Sequence, residues 1–325
     1  MRKTKLIFFW KIIMSYVIEN TKMPLSADSK IMRVLVYGSR GWIGGQFIKL
    51  LQSRQIVYHE GQARVDDHDG VKREINSVFP THVVSFIGRT HGTIGDKKYT
   101  TIDYLEQEGK LVDNVRDNLY SPMILALLCK EKHIHLTYLG TGCIFKFDEE
   151  HPFGEEVNGF KEESTPNFFG SSYSIVKGYT DKLMHLFSND VLNLRIRMPI
   201  TGEENPRNFI TKIANYEKIC SVPNSMSVLD ELLPCAIELM KKEHTGTLNF
   251  TNPGLISHNE VLTLYKEHVD SSFSWKNFSP EEQRKILAAD RSNNYLDTTE
   301  LESLFPKIDN IKDAVKKCMI RYANK

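Results

Sequence analysis

Tyr173 and Lys177 stand four residues apart, a spacing that puts both side chains on one face of a helix. A phenol holds its proton up to about pH 10, too tightly for easy exchange at neutral pH. A neighbouring ammonium stabilises the phenolate and lowers that barrier, so the pair suits proton transfer to a carbonyl oxygen. The chain has 13 tyrosines, enough for one such spacing to arise by chance, so position must supply the meaning. Upstream lies Gly38-Ser39-Arg40-Gly41-Trp42-Ile43-Gly44, in which the first glycine permits a tight turn and the second lets backbone approach a pyrophosphate. The third lets helix and strand pack closely, while free amides at the helix start attract the anion. A dinucleotide held there would move a hydride while Tyr173 moves a proton. Thr141 precedes the pair on a loop and is placed to hydrogen-bond a substrate carbonyl; the alternative is a threonine that merely caps a strand end.

The elements that must position these residues are legible from hydrophobic periodicity. Val34-Leu35-Val36-Tyr37 reads as a buried parallel strand running into Gly38. A helix from about Trp42 to Gln52 follows, with Ile43, Phe47, Leu50 and Leu51 on one face. Further strands are expected at Ile56–Tyr58, His82–Ile87, Ile134–Leu139, Leu192–Met198 and Thr247–Phe250, with an apolar helix over Ser121–Cys129. Strands alternating with helices imply an α/β fold with a doubly wound, parallel Rossmann sheet. We assign residues 32–200 to the NADP-binding Rossmann domain, rejoined by the strand near 246–253, and 201–325 mainly to a smaller C-terminal substrate-binding lobe. Ser257-His258-Asn259-Glu260 is a capping box within that lobe.

Cofactor choice turns on a few side chains. Glu60 lies about 20 residues past the glycine run, where an acid would bind the ribose hydroxyls of NAD. Arg40 inside the turn and Arg64 just beyond it could instead bind a 2′-phosphate in bidentate fashion. We favour NADPH over NADH, the alternative being that both arginines are solvated surface residues.

Composition excludes other classes. With 41% hydrophobic and 26% charged residues and a net charge of +1, the 325-residue chain lacks a nucleic-acid footprint. The five cysteines, Cys129, Cys143, Cys220, Cys235 and Cys318, form no C-x-x-C pair, and His91, His133, His135 and His151 lack ligand spacing, so neither a metal nor a disulfide framework is expected. A reducing, cytoplasmic setting follows. In residues 1–31, Lys11 interrupts the apolar run, arguing against a signal peptide or a spanning helix and for a disordered extension, with a membrane-surface tether as the alternative.

The glycine run, Thr141 and Tyr173-x-x-x-Lys177 resemble the extended short-chain dehydrogenase/reductases that act on nucleotide sugars. More narrowly, Thr141-Gly142-Cys143-Ile144-Phe145, Arg197-Met198-Pro199-Ile200, Asn205-Pro206-Arg207-Asn208-Phe209-Ile210-Thr211-Lys212 and Arg291-Ser292-Asn293-Asn294 resemble the bifunctional 3,5-epimerase/4-reductases that form UDP-L-rhamnose from UDP-4-keto-6-deoxyglucose. The resemblance runs from about Met32 to the C-terminus and is loosest over Lys72–Val112. It implies Cys143 as the epimerisation base and Lys212 as the acid. Related dehydratases carry an Asp-Glu pair after the threonine, where this chain has Gly142 and Cys143, so the 4-keto sugar would come from a separate UDP-glucose 4,6-dehydratase. A free cysteine is otherwise most often a small buried hydrophobe. Asn208, Asn224, Arg291, Asn293 and Asn294 are the candidates for holding the UDP portion, and a homodimer is among the expected assemblies. The alternatives are a monofunctional 4-ketoreductase, against which Cys143 argues, and a non-catalytic NADP-binding subunit, against which the intact Tyr173 and Lys177 argue.

Overall fold

Short apolar runs, buried on both faces in the central strands, assemble into one parallel sheet in the computed structural model, which describes residues 31–324. Its strands are β1 (Arg33–Tyr37), β2 (Val57–Glu60), β3 (His82–Ser85), β6 (His135–Thr141), β7 (Val191–Ile196) and β8 (Gly246–Asn249), with a separate antiparallel hairpin of β4 (Gly92–Ile94) and β5 (Lys97–Tyr99). The sheet order is β2-β1-β3-β6-β7-β8. The order in which strands are added therefore reverses between β1 and β3, which run parallel, and the crevice beyond their carboxyl ends is where open α/β sheets bind ligands. Register carries the loops there: Tyr37 pairs with Ser85, and Thr141 with Ile196.

Leu35, Val36 and Val83 are fully buried because helices cover both sides of the sheet. On one side, α1 (Trp42–Ser53) contributes Phe47 and Leu51, which pack with Leu232 and Met240 of the helix Leu229–Lys241. On the other, Val71 and Ile75 of α2 (His68–Val78) meet Leu125 and Leu128 of α3 (Ser121–Glu131). A third apolar cluster joins Ile200, Ile210, Met226, Val261, Ile311 and Met319, all from beyond β7. Ser257 and Glu260 close the expected capping box, with Ser257 N–H donating to Glu260 at 2.8 Å.

Residues 86–120 are where sequence periodicity gave least. The helix expected from Ser121 is preceded by helical residues Leu111–Val115 and a π turn over Arg116–Tyr120. Asn118, buried in that turn, fixes the loop after β3: its Oδ1 accepts from Arg89 N–H at 2.8 Å and its Nδ2 donates to Arg89 O at 2.9 Å. No helix among the described residues is long and apolar enough to cross a membrane. The expected disorder or tethering of the N-terminal extension falls on residues 1–30, outside the described residues.

Candidate active site

The glycine turn is shaped by what its backbone excludes. Gly38 holds φ at +80°, where a side chain would be strained, and its carbonyl accepts from Gly41 N–H at 2.9 Å. A methyl group on Gly44 would lie 2.2 Å from the Gly38 oxygen. Gly41 begins α1 without any side-chain cap, leaving amides at the helix start open to an anion. These residues fit a dinucleotide pyrophosphate. Ser39 is buried, Trp42 and Ile43 are half-buried, and Arg40 is exposed, donating to Gln62 Oε1 at 2.9 Å. Arg64 is instead paired with Asp66 at 3.0 Å, so the two arginines differ in what restrains them.

Thr141 ends β6, and Tyr173 and Lys177 lie on α4 (Ser172–Met184), which Ser171 caps by accepting from Ser174 N–H at 3.0 Å. Thr141, Tyr173 and Lys177 are all buried. The Thr141 side chain is hydrogen-bonded to Tyr173, and burial, ahead of any charge, pushes the Tyr173 phenol well above its ordinary range. Burial pulls the Lys177 ammonium down to about 8, with Asp181 and Cys143 opposing that fall. Lys177 Nζ donates to the Tyr138 hydroxyl and lies 4.5 Å from the centre of that ring. Asp181, one turn further along α4, takes a bidentate contact from buried Arg195 at 2.6 and 2.9 Å and so ties the helix to β7. Cys143 is half-buried on the Thr141 loop; its N–H donates to Thr141 Oγ1 at 3.0 Å and its carbonyl accepts from Ser174 Oγ at 2.8 Å.

Lys212 lies in a cationic surround. Burial, then Arg207 and Arg291, lower its ammonium from the ordinary value. Arg207 also bonds the His91 ring, and burial with the surrounding cations pulls that imidazole down to about 4. Arg291 pairs with Asp103. Thus Cys143 and Lys212 belong to different charge neighbourhoods: the first faces Tyr173, Lys177 and Arg197, the second Arg207, Arg291 and His91.

Three of the expected UDP ligands have protein partners of their own. Asn208, Asn224 and Asn294 are fully buried. Asn208 caps a helix by accepting from Ile210 N–H at 3.2 Å while donating to Thr201 and Glu203 carbonyls. Asn224 accepts from Arg197 and from Asn294 N–H, and donates to Val222 O and Asn293 Oδ1. Asn294 Nδ2 donates to Gly142 O and Phe145 O, each at 2.9 Å. Their amides build the scaffold because buried polar atoms need partners, and these loops have few backbone ones. Asn293 and Arg291 remain partly exposed beside them.

Sequence reasoning missed Tyr138, Asn118, Arg197 and Tyr104. Tyr104 packs against Tyr173, with Ile94, Tyr99 and Cys143 alongside, so the loosely matching stretch covers Tyr173. None of the four belongs to a spaced motif.

No family model matches the chain. It is 54% identical over 285 residues to protein L780 of Acanthamoeba polyphaga mimivirus, covering 88% of this chain and 96% of that one. The crystal structure of the L780 UDP-rhamnose synthase superposes with a TM-score of 0.85 over 89% of this chain and 99% of that chain. A bifunctional dTDP-4-dehydrorhamnose 3,5-epimerase/reductase of Arabidopsis thaliana is 45% identical over 292 residues, 90% of this chain and 93% of that protein. The chain belongs to the bifunctional nucleotide-sugar 3,5-epimerase/4-reductases. Alignments this long take in both the Rossmann residues and the C-terminal part of this epimerase/reductase. A trifunctional Arabidopsis protein whose name adds a UDP-glucose 4,6-dehydratase is 41% identical over 306 residues, and the chain spans only 44% of its length.

Proposed function

We propose that this epimerase/reductase inverts C3 and C5 of UDP-4-keto-6-deoxyglucose and reduces its C4 ketone with NADPH to give UDP-L-rhamnose. The observation that carries the reading is Cys143 on the same short loop as Thr141, beside Tyr173 and Lys177. A 4-ketone acidifies the protons at C3 and C5, because loss of either leaves charge on the carbonyl oxygen. Thr141 and Tyr173 hydrogen-bond that oxygen and stabilise the charge. Cys143 takes the proton from one face, and Lys212, lowered by burial and then by Arg207 and Arg291, returns one from the other.

The bound dinucleotide supplies the hydride to C4. Tyr173 then gives its proton to the alkoxide: raised by burial, this phenol stays protonated at neutral pH and yields only to a strongly basic oxygen. Lys177, still an ammonium below about pH 8, stabilises the phenolate left behind. One oxyanion site thus serves both reactions.

NADPH is preferred over NADH in this reading because Arg40 lies in the turn at the cofactor's expected ribose end, while Arg64 is held by Asp66. The residues beyond β7 form the substrate lobe, with Arg207, Lys212 and Arg291 presenting positive charge to the diphosphate. The 4-keto sugar is supplied by a separate dehydratase, and two copies of the chain form the working unit. The test is product analysis: purified protein, UDP-4-keto-6-deoxyglucose and NADPH, with the sugar configuration read by NMR. L-rhamnose is expected. A 6-deoxy sugar still of the D series would instead indicate a plain 4-ketoreductase.

A further inference from the structure

Arg197, just past the end of β7, is 1% exposed and the largest buried cation near the catalytic loop after Arg195. Its partners are unequal. Nη2 donates to Asn224 Oδ1 and to Ser292 O, both at 2.9 Å, yet Nε and Nη1 are buried with no partner among the described residues. Leaving donors of a charged group unpaired in the interior is strongly unfavourable. Something that enters or ionises in the working enzyme is expected to compensate.

The side chain runs along the underside of the loop that carries Cys143. Gly142 N–H donates to Ile196 O at 3.0 Å, and a methyl on Gly142 would lie 3.0–3.1 Å from the Arg197 stem. At the far end, the Ser292 that accepts from Nη2 donates its own hydroxyl to Phe145 O at 2.6 Å. The guanidinium is therefore locked beneath residues 142–145. We propose that Arg197 is the positioning residue that holds the Cys143 thiolate, using its two unpartnered nitrogens as charge and hydrogen-bond donors, so that the thiol can act as a base. This rests on the reading of Cys143 as the epimerisation base.

Other groups face the pair. Tyr173 and Lys177 from α4 lie within electrostatic reach of Cys143, and His258, pulled down to about 4 chiefly by burial, faces Arg197. Burial lowers the Arg197 guanidinium from its usual value, and the neighbouring Cys143 side chain opposes that fall. In the step itself, the thiolate takes a proton from C3 or C5 and becomes a thiol, and the electron pair moves to the C4 oxygen. Lys212 protonates the carbon on the other face. Arg197 stays charged throughout.

The experiment compares wild type with Arg197→Met and Arg197→Lys. Two quantities are read: the pH profile of iodoacetamide alkylation at Cys143, located by peptide mass spectrometry, and the ratio of C3/C5 deuterium exchange to ketone reduction. In Arg197→Met the alkylation profile is expected to move upward by about one pH unit or more, with the exchange-to-reduction ratio falling about tenfold. Arg197→Lys should restore part of both. An unmoved alkylation profile, or equal loss of exchange and reduction, overturns the proposal, since a residue that only scaffolds the loop would damage both reactions together. Should Arg197→Met not fold, thiolate absorbance near 240 nm, taken as wild type minus Cys143→Ser, decides. Its presence at pH 7.5 supports the proposal and its absence up to pH 8.5 overturns it. Failure of Cys143 as base is distinguishable, because Cys143→Ser would then retain exchange whatever the alkylation profile shows.

Discussion

The turn after β1 and the loop after β6 lie at the same edge of the sheet but are held in shape by different means. Gly38–Gly44 is self-contained: a positive φ, a 2.9 Å turn bond and a helix start that no residue larger than glycine could approach so closely. Thr141–Phe145 is supported from far along the chain, by Asn294 donating to Gly142 and Phe145, Ser292 donating to Phe145, and Arg197 beneath. A site for an invariant part, the pyrophosphate, can be built from local backbone geometry. The loop that carries Thr141 and Cys143 is held by side chains from beyond β7, which couples it to that region.

The largest effect should come from breaking the local device. Gly44→Ala forces its methyl against the Gly38 oxygen, so NADPH affinity is expected to fall by at least about a hundredfold by fluorescence titration, with UDP binding preserved. Normal NADPH binding in that variant would mean the turn tolerates a side chain and the comparison fails. Asn294→Ala attacks the distal device instead. Two buried carbonyls lose their donor, a cost of about 1–3 kcal/mol each, and exchange and reduction should both drop about tenfold while NADPH affinity stays within about twofold. A comparable loss of NADPH affinity would show that the two regions are not independently supported.

How much was legible follows the same division. The strands, α1, the capping box at Ser257 and the Tyr173–Lys177 face are marked by patterns that span only a few residues, so periodicity and spacing revealed them. The sheet neighbours of Thr141 and the roof made by Tyr104 come from distant segments and leave no local signal. The protein partners of Asn208, Asn224 and Asn294 were hidden for that reason: a polar residue in a loop reads as solvated or ligand-binding, and partners up to 152 positions away leave no local mark. Arg197 was recognisable only as part of a matching stretch, and its burial could not be inferred from a basic side chain, which ordinarily stays at the surface.

Two smaller tests sharpen the comparison at α4 and at the turn. Because burial lowers Lys177 to about 8, its charge is present below that pH and lost above it, so kcat/KM for NADPH in ketone reduction should fall about tenfold per pH unit beyond roughly pH 8. A flat profile to pH 10 would remove the Lys177 ammonium from the mechanism. Arg40→Ala should weaken NADPH about fivefold and leave NADH unchanged, a modest effect because the arginine is exposed and its charge-assisted bond is partly screened. Equal loss for both cofactors would assign Arg40 to the turn rather than to the 2′-phosphate.

The central claim is that one oxyanion site serves two reactions whose proton-handling groups are separate. The direct measurement is incubation of Cys143→Ala and Tyr173→Phe with UDP-4-keto-6-deoxyglucose and NADPH in D2O, following deuterium at C3 and C5 by NMR and NADPH oxidation by absorbance. Cys143→Ala is expected to abolish exchange at C3, C5 or both while NADPH still binds, and Tyr173→Phe to lower NADPH oxidation by about a hundredfold or more with measurable exchange retained. Undiminished exchange in Cys143→Ala, or full NADPH oxidation in Tyr173→Phe, would contradict the account.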